Sequence, residues 1–376
     1  MDFKVIKKDS TTDARTGKIA LKHGTVETPV FMPVGTNATV KAMRNDQLEE
    51  IGINLILSNT YHLFLRPGME VIQNAGGLHN FMSWKHNILT DSGGFQIFSL
   101  TPFRKIENDG VTFKSHIDGG IHHLTPEKVV EIQSILGSDV MMPLDICTGY
   151  GIEREDAEWA LNTTTDWAKK SREKWEKINS DHGELWGIVQ GNFFKDLREK
   201  SVSELINVDF PGYAIGGLSV GEPFPVFAEY LEYTAKLLPV DKPRYVMGIG
   251  TPEFILEAVS RGIDLFDCVF PTRTARNALA FTKNGTVSLK KEENRLSNNP
   301  IDNSCRCYTC RNFSKAYLRH LYKTKEILAA MLVTYHNLFF IKNLIKEIRY
   351  AISKGNFSRY RNDFLKIYGK NSEEQI

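Results

Sequence analysis

The sequence lacks a strong excess of charge of either sign. Its 376 residues include 47 Lys and Arg against 45 Asp and Glu, a net charge of +2, so no global electrostatic signal indicates a nucleic-acid partner. It also lacks long hydrophobic runs, because none approaches the roughly 18 apolar residues that span a bilayer. The first ten residues are charged and contain no apolar core of a signal peptide. We therefore expect a cytoplasmic chain with no membrane segment.

Cysteine is scarce and unevenly placed. Three of the five cysteines form a Cys-x-Cys-x-x-Cys motif, Cys305, Cys307 and Cys310. Without a secretory signal, this spacing favours a metal site over a disulfide framework. Three thiolates this close can bind one tetrahedral ion, usually Zn²⁺, and free thiols or redox chemistry are the alternative. A fourth ligand for a structural site would be His320 or His336, and spacing alone does not choose between them.

Positive charge is concentrated near the C-terminus. Residues 301–376 carry 14 Lys and Arg and 6 Asp and Glu, a local net charge of +8, which leaves −6 for the rest of the chain. Such a basic region is an electrostatic footprint for a polyanion. The alternative is an ordinary solvated helical surface.

Short apolar runs alternate with stretches of helical spacing along most of the chain. Two of the helical stretches begin with Thr-Pro-Glu, at Thr125 and Thr251, which is typical of a capped helix start. Apolar strand followed by helix, eight times over, predicts a parallel (β/α)8 TIM barrel. The eight predicted strands are 30–34, 55–57, 87–89, 140–144, 185–189, 213–215, 245–247 and 265–270.

Two insertions interrupt the alternation. Residues 100–124 predict an excursion with short strands of its own, and residues 282–312 contain the hairpin signal Asn284-Gly285 and then the cysteines. A helical pattern follows from residue 327. We predict a catalytic core at 1–281, a zinc-binding subdomain at 282–345, and a C-terminal helical tail at 346–376 that packs on the barrel and frays over 372–376.

Polar or glycine residues stand at five of the eight predicted strand ends. In a TIM barrel these carboxyl ends carry the active site, and a hydrophobic core requires none of these residues. The alternative is that the strand boundaries suit the pattern by chance. The residues are Asp91, Asp145, Gln190, the pair Gly216-Gly217, and Asp267.

The eighth run places a carboxylate beside two arginines. Asp267 lies within apolar residues, and Arg273 and Arg276 follow after Pro271. A buried carboxylate is costly unless it is paired or used, and guanidinium groups suit phosphates and base edges. The stretch therefore indicates acid chemistry on a nucleic acid, or else a structural ion pair between Asp267 and an arginine.

The other strand ends describe a pocket for a purine-like base. Phe95 can stack on a planar ring, and Gly93 and Gly94 permit close backbone approach. Asp145 and Gln190 offer the donors and acceptors that read a purine edge. Each residue alone could be a satisfied buried polar group, but the set together favours a base pocket.

Three motifs closely resemble signature blocks of the tRNA-guanine transglycosylases, also called queuine tRNA-ribosyltransferases. They are Asp-Ser-Gly-Gly-Phe-Gln at 91–96, Gly-Gly-Leu-Ser-Val-Gly-Glu at 216–222 and Asp-Cys-Val-Phe-Pro-Thr-Arg at 267–273. The cysteine motif with His336 also resembles the family, and the match runs from about residue 28 to 336. The resemblance implies a TIM barrel with a zinc subdomain near the C-terminus, usually as a homodimer.

The resemblance implies exchange of guanine at the wobble position 34 of the tRNA anticodon for a 7-deazaguanine base, in queuosine biosynthesis. Asp267 would be the nucleophile and Asp91 the general acid and base, as in retaining glycosidases, and His336 rather than His320 would complete the zinc site. Implied base-binding residues are Asp91, Ser92, Gly93, Gly94, Phe95, Asp145, Gln190, Gly217, Leu218 and Met247. Implied tRNA-binding residues are Gly248, Ile249, Gly250, Thr251, Pro252, Glu253, Phe254, Thr272, Arg273, Thr274, Ala275 and Arg276.

Two positions refine this expectation. Val220 resembles the bacterial form, whose smaller pocket takes 7-aminomethyl-7-deazaguanine, whereas eukaryotic members carry glycine there and take queuine. Ile146 departs from the family, because many bacterial members have an acid after the residue that corresponds to Asp145. This departure affects details of base switching and leaves the predicted reaction intact.

Two other functions fit parts of the pattern. A glycoside hydrolase on the same barrel could use Asp91 and Asp267, but it leaves the basic C-terminal region and the cysteines unexplained. A catalytically inactive subunit that only binds tRNA is the second alternative, and the presence of both carboxylates argues against it.

Overall fold

Nine parallel strands, from eight apolar runs, form the centre of the protein in a computed structural model, which describes residues 1–100, 103–178 and 182–369. Each predicted apolar run contains a strand, and the run at 185–189 holds parts of two. In chain order they are β4 (Val30–Pro33), β5 (Leu55–Ser58), β6 (Asn87–Thr90), β10 (Val140–Met141), β11 (Glu184–Leu185), β12 (Gly187–Val189), β13 (Tyr213–Ile215), β14 (Arg244–Val246) and β15 (Leu265–Cys268).

The parallel strands form two hydrogen-bonded sheets. One has the order β12-β13-β14-β15-β4 and the other β11-β10-β6-β5. The predicted fifth strand is divided at Trp186, so that β11 pairs with one sheet and β12 with the other. A single parallel bridge between Val34 and Leu57 connects β4 to β5. Every residue of β4, β5 and β6 is buried, as expected for parallel strands covered on both faces.

Helices connect and cover these strands. Thr125 caps α6 by accepting a hydrogen bond from the Lys128 amide at 3.1 Å, whereas Thr251 before α10 makes no such side-chain bond. Both predicted helix starts are confirmed in position. The helices are α1 (Asn45–Ile51), α2 (Thr60–Leu65), α3 (Met69–Asn74), α4 (Leu78–Met82), α5 (Gly94–Leu100), α6 (Pro126–Leu136), α7 (Arg154–Lys177), α8 (Lys195–Val208), α9 (Phe224–Leu237), α10 (Pro252–Ser260) and α11 (Phe270–Arg276).

An antiparallel sheet that the sequence analysis did not predict precedes the first parallel strand. It consists of β1 (Asp2–Lys8), β2 (Arg15–Leu21) and β3 (Gly24–Thr28). Strand β1 is mostly exposed and rich in lysine, so it presents no apolar run. It pairs antiparallel with β2, in which the buried Ile19 lies opposite Phe3 of β1 and opposite the buried Val26 of β3.

The first insertion contains short strands, as predicted: the antiparallel β7 (Arg104–Glu107), β8 (Gly110–Lys114) and β9 (Ile121–Leu124). The predicted hairpin signal Asn284-Gly285 lies where β16 (Leu279–Thr282) turns into the antiparallel β17 (Gly285–Ser288). Residues 101 and 102 of the first insertion lie outside the described part of the chain. A 3-10 turn at Glu292–Asn294 follows, with α12 (Tyr308–Asn312), α13 (Lys315–Lys323), α14 (Ile327–Ser353) and α15 (Phe357–Tyr368).

Helix α14 is the core helix of the C-terminal region. By length and composition alone it could cross a bilayer, but 56% of its most apolar window is buried inside the protein. It packs against α11, α12, β16 and β4, which is how the core helix of a globular protein behaves. The predicted fraying over residues 372–376 lies outside the described residues, which end at residue 369.

Candidate active site and metal centre

The polar residues predicted at the strand ends lie at the carboxyl ends of the parallel strands. Asp91 directly follows β6, Gln190 follows β12, and Gly216 follows β13. Asp145 comes shortly after β10, and Asp267 lies on β15. Because neighbouring parallel strands end on the same side of a sheet, these residues share one face of the molecule.

Asp91 is buried and bound by neutral donors. Its Oδ1 accepts the Thr60 amide at 2.9 Å, and its Oδ2 accepts the side-chain amides of Asn59 at 2.5 Å and Gln96 at 2.9 Å. Burial raises the pKa of Asp91 to about 6 despite these bonds, and the charge of Asp267 adds to the rise. A carboxyl group of this kind can both donate and accept a proton near neutral pH.

Asp267 is half-buried, and its two hydrogen bonds from the described residues both go to Oδ1. The donors are the Tyr245 hydroxyl at 2.5 Å and the Gly248 amide at 2.9 Å. Burial raises the pKa of this carboxyl, and the two donors act in the opposite direction. No arginine lies within ion-pair distance of Asp267 in the described ranges, so the structural ion pair considered from the sequence is not formed there.

Asp145 and Gln190 form one hydrogen-bonded unit. Asp145 accepts the Ser92 hydroxyl through Oδ1 and the Gln190 side-chain amide through Oδ2, both at 2.9 Å. Burial raises the pKa of Asp145. A β-carbon at Gly94 would lie 2.8 Å from the Asp145 carboxylate, and one at Gly217 would lie 2.7 Å from the Gln190 amide oxygen. The glycines are therefore required by the close approach of the backbone to this pair.

The remaining predicted base-binding residues surround this unit. Phe95 lies in the first turn of α5 with 52% of its surface exposed, which leaves its ring accessible to a planar ligand. Leu218 is buried, and Met247 is half-buried against the core around β4 and β13. Ile146 is buried, and its amide donates to the Thr164 hydroxyl at 3.0 Å, so its apolar side chain is packed inside the protein directly after Asp145.

The predicted tRNA-binding segments are partly accessible. Arg273 and Gly248 are exposed and Arg276 is half-buried, and burial lowers the pKa of Arg276. The half-buried members are Thr251, Glu253, Phe254 and Thr274. The buried members are Ile249, Gly250, Pro252, Thr272 and Ala275.

The cysteines meet His336 in a separate cluster. The Nδ1 atom of His336 lies 3.7 Å from the Cys305 sulfur, 3.4 Å from that of Cys307 and 3.3 Å from that of Cys310. The four side chains can hold a metal ion together. His320 is exposed on α13 and does not belong to the cluster. Of the two histidines left open by spacing, the structure therefore selects His336.

The donors to the two carboxylates were not predicted from the sequence. Asn59 and Thr60 directly follow β5, and this position at a strand end is a signal that could have identified them. Gln96 follows Asp91 within one predicted motif. Tyr245 lies within an apolar run, where an aromatic residue indicates packing, so nothing in the sequence indicated that its hydroxyl bonds Asp267.

The fold and site define an α/β protein with three buried or half-buried carboxylates at the ends of its parallel strands and a separate Cys₃His cluster. The family model for queuine tRNA-ribosyltransferase matches residues 9–370. A queuine tRNA-ribosyltransferase of Caldanaerobacter subterraneus subsp. tengcongensis is 53% identical over 372 residues, 99% of each chain. A protein of the same name from Pelotomaculum thermopropionicum is 54% identical over 98% of this chain and 99% of its own. Another from Treponema denticola is 52% identical over 97% of each chain. This chain belongs to the queuine tRNA-ribosyltransferase family.

Proposed function

We propose that this chain exchanges guanine at wobble position 34 of a tRNA anticodon for 7-aminomethyl-7-deazaguanine, a step of queuosine biosynthesis. As a family member it is a transferase that acts on tRNA guanine. The observation that carries the finer proposal is the pair of differently solvated carboxylates, Asp91 and Asp267, beside the Asp145–Gln190 unit. To reach such a site, the target nucleotide must leave the stack of the anticodon loop.

In the proposed reaction Asp267 attacks the ribose. Its Oδ1 is held by Tyr245 and Gly248, which leaves Oδ2 to form a bond with C1′ as the bond from C1′ to the guanine nitrogen breaks. The departing guanine takes a proton from Asp91. The incoming base then gives a proton to Asp91, and its nitrogen displaces the Asp267 carboxylate from C1′. The two inversions at C1′ give net retention of its configuration, and the enzyme ends in its starting protonation state.

The pKa of Asp91 supports its proposed double role. A group that protonates a leaving base and deprotonates an incoming one works best when both of its forms are populated at the working pH. Burial raises the pKa of Asp91 to about 6, far above the ordinary value of about 3.9 for aspartate. Asp145 and Gln190 would read the base edge, and the amide donors of residues 217 and 218 would face its carbonyl oxygen.

The choice of incoming base rests on Val220. Its side chain is half-buried, and its amide donates to the Glu222 carboxylate at 2.8 Å. A valine at this position narrows the space available to a substituent on the 7-position of the base. We therefore propose that 7-aminomethyl-7-deazaguanine binds well and that queuine, with its larger substituent, binds poorly.

We also propose that the Cys₃His cluster binds one structural zinc ion. With Zn–S near 2.3 Å and Zn–N near 2.0–2.1 Å, tetrahedral geometry places nitrogen and sulfur about 3.6 Å apart, close to the 3.3–3.7 Å between His336 Nδ1 and the three sulfurs. The other ring nitrogen lies 2.6 Å from the Phe281 carbonyl, which favours a proton there and leaves Nδ1 available to a metal. Bound zinc would fix α12 to α14.

Larger features of the architecture are part of the proposal. We infer that the two parallel sheets close into a (β/α)8 barrel, which the Val34–Leu57 bridge and the division of the fifth run at Trp186 support. The domain bounds 1–281, 282–345 and 346–376, a homodimer, a cytoplasmic location and tRNA contacts over residues 248–254 and 272–276 remain predictions from family resemblance and sequence pattern.

The first experiment measures incorporation of labelled guanine into unfractionated tRNA by the zinc-loaded chain. We expect incorporation that 7-aminomethyl-7-deazaguanine competes away at far lower concentration than queuine. Replacement of Val220 by glycine should reduce the difference between the concentrations at which the two bases compete. No incorporation by a folded chain would refute base exchange and favour the subunit that only binds tRNA.

A further inference from the structure

Arg198 is a fully buried cation behind the base pocket. It lies in the first turns of α8 with 0% of its surface exposed. Its guanidinium donates from Nε to the Asn192 carbonyl at 2.8 Å, from Nη1 to the Gly216 carbonyl at 3.0 Å, and from Nη2 to the Gly217 carbonyl at 3.2 Å. Three fixed bonds to three backbone oxygens are what the planar guanidinium fork provides and an ammonium group does not.

The charge of Arg198 has no carboxylate partner at close range in the described part of the chain. Within the described residues no Asp or Glu lies within ion-pair distance of Arg198, whereas the buried Arg15 pairs with Asp264 at 2.6 Å. Burial accordingly lowers the pKa of Arg198 to about 10, and Glu222 acts against this change from a greater distance. An uncompensated buried cation is costly, so its position calls for a role other than general stability.

The loop that Arg198 contacts has an unusual backbone. Gly217 and Ser219 have φ angles of +65° and +60°, in the left-handed region that non-glycine residues rarely occupy. The far end of the loop is held by Glu222, whose carboxylate accepts the amides of Ser219 at 2.5 Å and Val220 at 2.8 Å. A cation therefore holds carbonyls at one end of the loop, and an anion holds amides at the other.

Peptide planarity sets the direction of the neighbouring amides. In a trans peptide the N–H points opposite to the preceding carbonyl, so the Gly217 and Leu218 amides point away from Arg198. β-Carbons at Gly216 and Gly217 would each lie 2.7 Å from the side-chain amide of Gln190, at its nitrogen and its oxygen respectively. This end of the loop is therefore packed directly against the Asp145–Gln190 unit.

We propose that Arg198 is a positioning residue for base recognition: by holding the carbonyls of Gly216 and Gly217, it aims the amides of Gly217 and Leu218 at the carbonyl oxygen of a guanine-type base. This inference rests on the proposed base exchange. It assigns to a side chain that never touches the substrate the task of fixing two backbone donors. Loss of Arg198 should therefore weaken capture of the free base more than capture of tRNA.

The test compares Arg198→Lys with wild type in guanine incorporation. Lysine keeps the charge but cannot bond three carbonyls in fixed geometry. We expect the KM for the free base to rise about tenfold or more, the effect of one lost charged hydrogen bond, while the KM for tRNA changes less than about twofold. Calorimetric binding of free guanine should weaken by the same factor without any turnover.

Arg244→Lys is the matched control. Arg244 is also buried and donates to backbone carbonyls, those of Leu238 at 2.7 Å and Pro239 at 3.3 Å, but it begins β14 at the opposite end of the strands. The Arg244→Lys variant should have a lower melting temperature than wild type and an unchanged KM for the base. An unchanged base KM in Arg198→Lys, with wild-type incorporation intact, overturns the positioning role alone.

Two other outcomes are decisive as well. If Arg198→Lys does not fold, Arg198→Gln, which retains a side-chain amide donor but not the three-bond fork, replaces it in both assays and should likewise raise the KM for the base more than the KM for tRNA. A purely structural role would instead reduce kcat through the folded fraction and leave both KM values unchanged. A wild-type chain that incorporates no guanine refutes the proposed function and this inference with it.

Discussion

Asp264 and Asp267 lie at opposite ends of the same strand and have opposite surroundings. Asp264, just before β15, is 0% exposed and accepts bonds from Arg15 at 2.6 and 3.1 Å and from the Arg244 amide at 2.8 Å. Among the described residues, the donors to Asp267, near the carboxyl end, are a hydroxyl and one backbone amide. A full cation compensates the first carboxylate, whereas neutral dipoles bond the second.

Asp139 and Asp91, beside β10 and β6 of the other parallel sheet, show the same contrast between a compensated and an uncompensated carboxylate. Asp139, before β10, lies 2.7 Å from His23 Nδ1 and 3.3 Å from His79 Nε2, and it accepts the Ile88 amide at 2.7 Å. Burial alone would raise its pKa, but the bonds from His79, Ile88 and His23 outweigh burial and lower it. Asp91, past β6, has its pKa raised instead. Compensated carboxylates suit stability, and uncompensated ones suit proton transfer and attack.

The largest expected effect comes from Asp267→Asn. Asparagine preserves the shape but cannot form the proposed bond to C1′, so incorporation of labelled guanine should fall at least about 10³-fold. The free energy of unfolding, measured by urea denaturation, should not fall, because an uncompensated charge is removed from a half-buried site. Wild-type activity in this variant would show that the nucleophile lies elsewhere.

Asp264→Asn should lower the stability of the protein and leave its activity nearly unchanged, the reverse of Asp267→Asn. Removing the carboxylate leaves the buried Arg15 without its ion-pair partner, which costs about 3 to 5 kcal/mol of unfolding free energy. Activity per folded molecule, measured well below the melting temperature, should stay within a few-fold of wild type. A stable but inactive Asp264→Asn variant would contradict the division of roles between the two strand ends.

Asp91→Asn should stabilise the protein while it abolishes base exchange. The folded-state pKa of Asp91, about 6, exceeds its unfolded value, so its ionised form weakens the fold as pH rises from about 4 to 6. At pH 8 the variant should therefore gain up to about 3 kcal/mol of unfolding free energy. The gain should shrink below pH 6 and vanish below pH 4. A loss of stability at pH 8 would mean that the hydrogen bonds from Asn59, Thr60 and Gln96 outweigh burial.

Much of this arrangement was predictable from the sequence, because it depends on patterns of residues that are neighbours in the chain. Apolar runs are confirmed as strands because parallel strands are buried on both faces, and β13 has the predicted bounds. The strand-end positions of Asp91 and Asp267 follow from the same pattern. By contrast, β1 to β3 were missed, because a lysine-rich exposed strand carries no apolar signal and forms only through its pairing partner.

The surroundings of the site residues were less predictable. The bond from Tyr245 to Asp267 and the fork of Arg198 on the Gly216 and Gly217 carbonyls join residues on different elements. Such contacts depend on how neighbouring strands and helices are placed, which no local pattern encodes. The choice of His336 over His320 is of the same kind, since it depends on where α14 packs against the cysteines.

The smallest expected effect is that of Asp139→Asn. The lowered folded-state pKa means that the carboxylate contributes stability above the unfolded value of about 3.9 and loses it as pH falls through the folded value. At pH 7 the variant should lose about 1 to 2 kcal/mol, since the asparagine amide cannot accept from both Ile88 and His23. This deficit in unfolding free energy should be constant from pH 7 to 5 and shrink only below about pH 4. Asp91→Asn should instead gain stability, and its gain should change at higher pH.

Urea denaturation of both variants across this range, with zinc held constant, would measure the two pH dependences side by side. A deficit in Asp139→Asn that disappears already at pH 6 would show that the histidines, rather than the carboxylate, govern stability at this end of the strands.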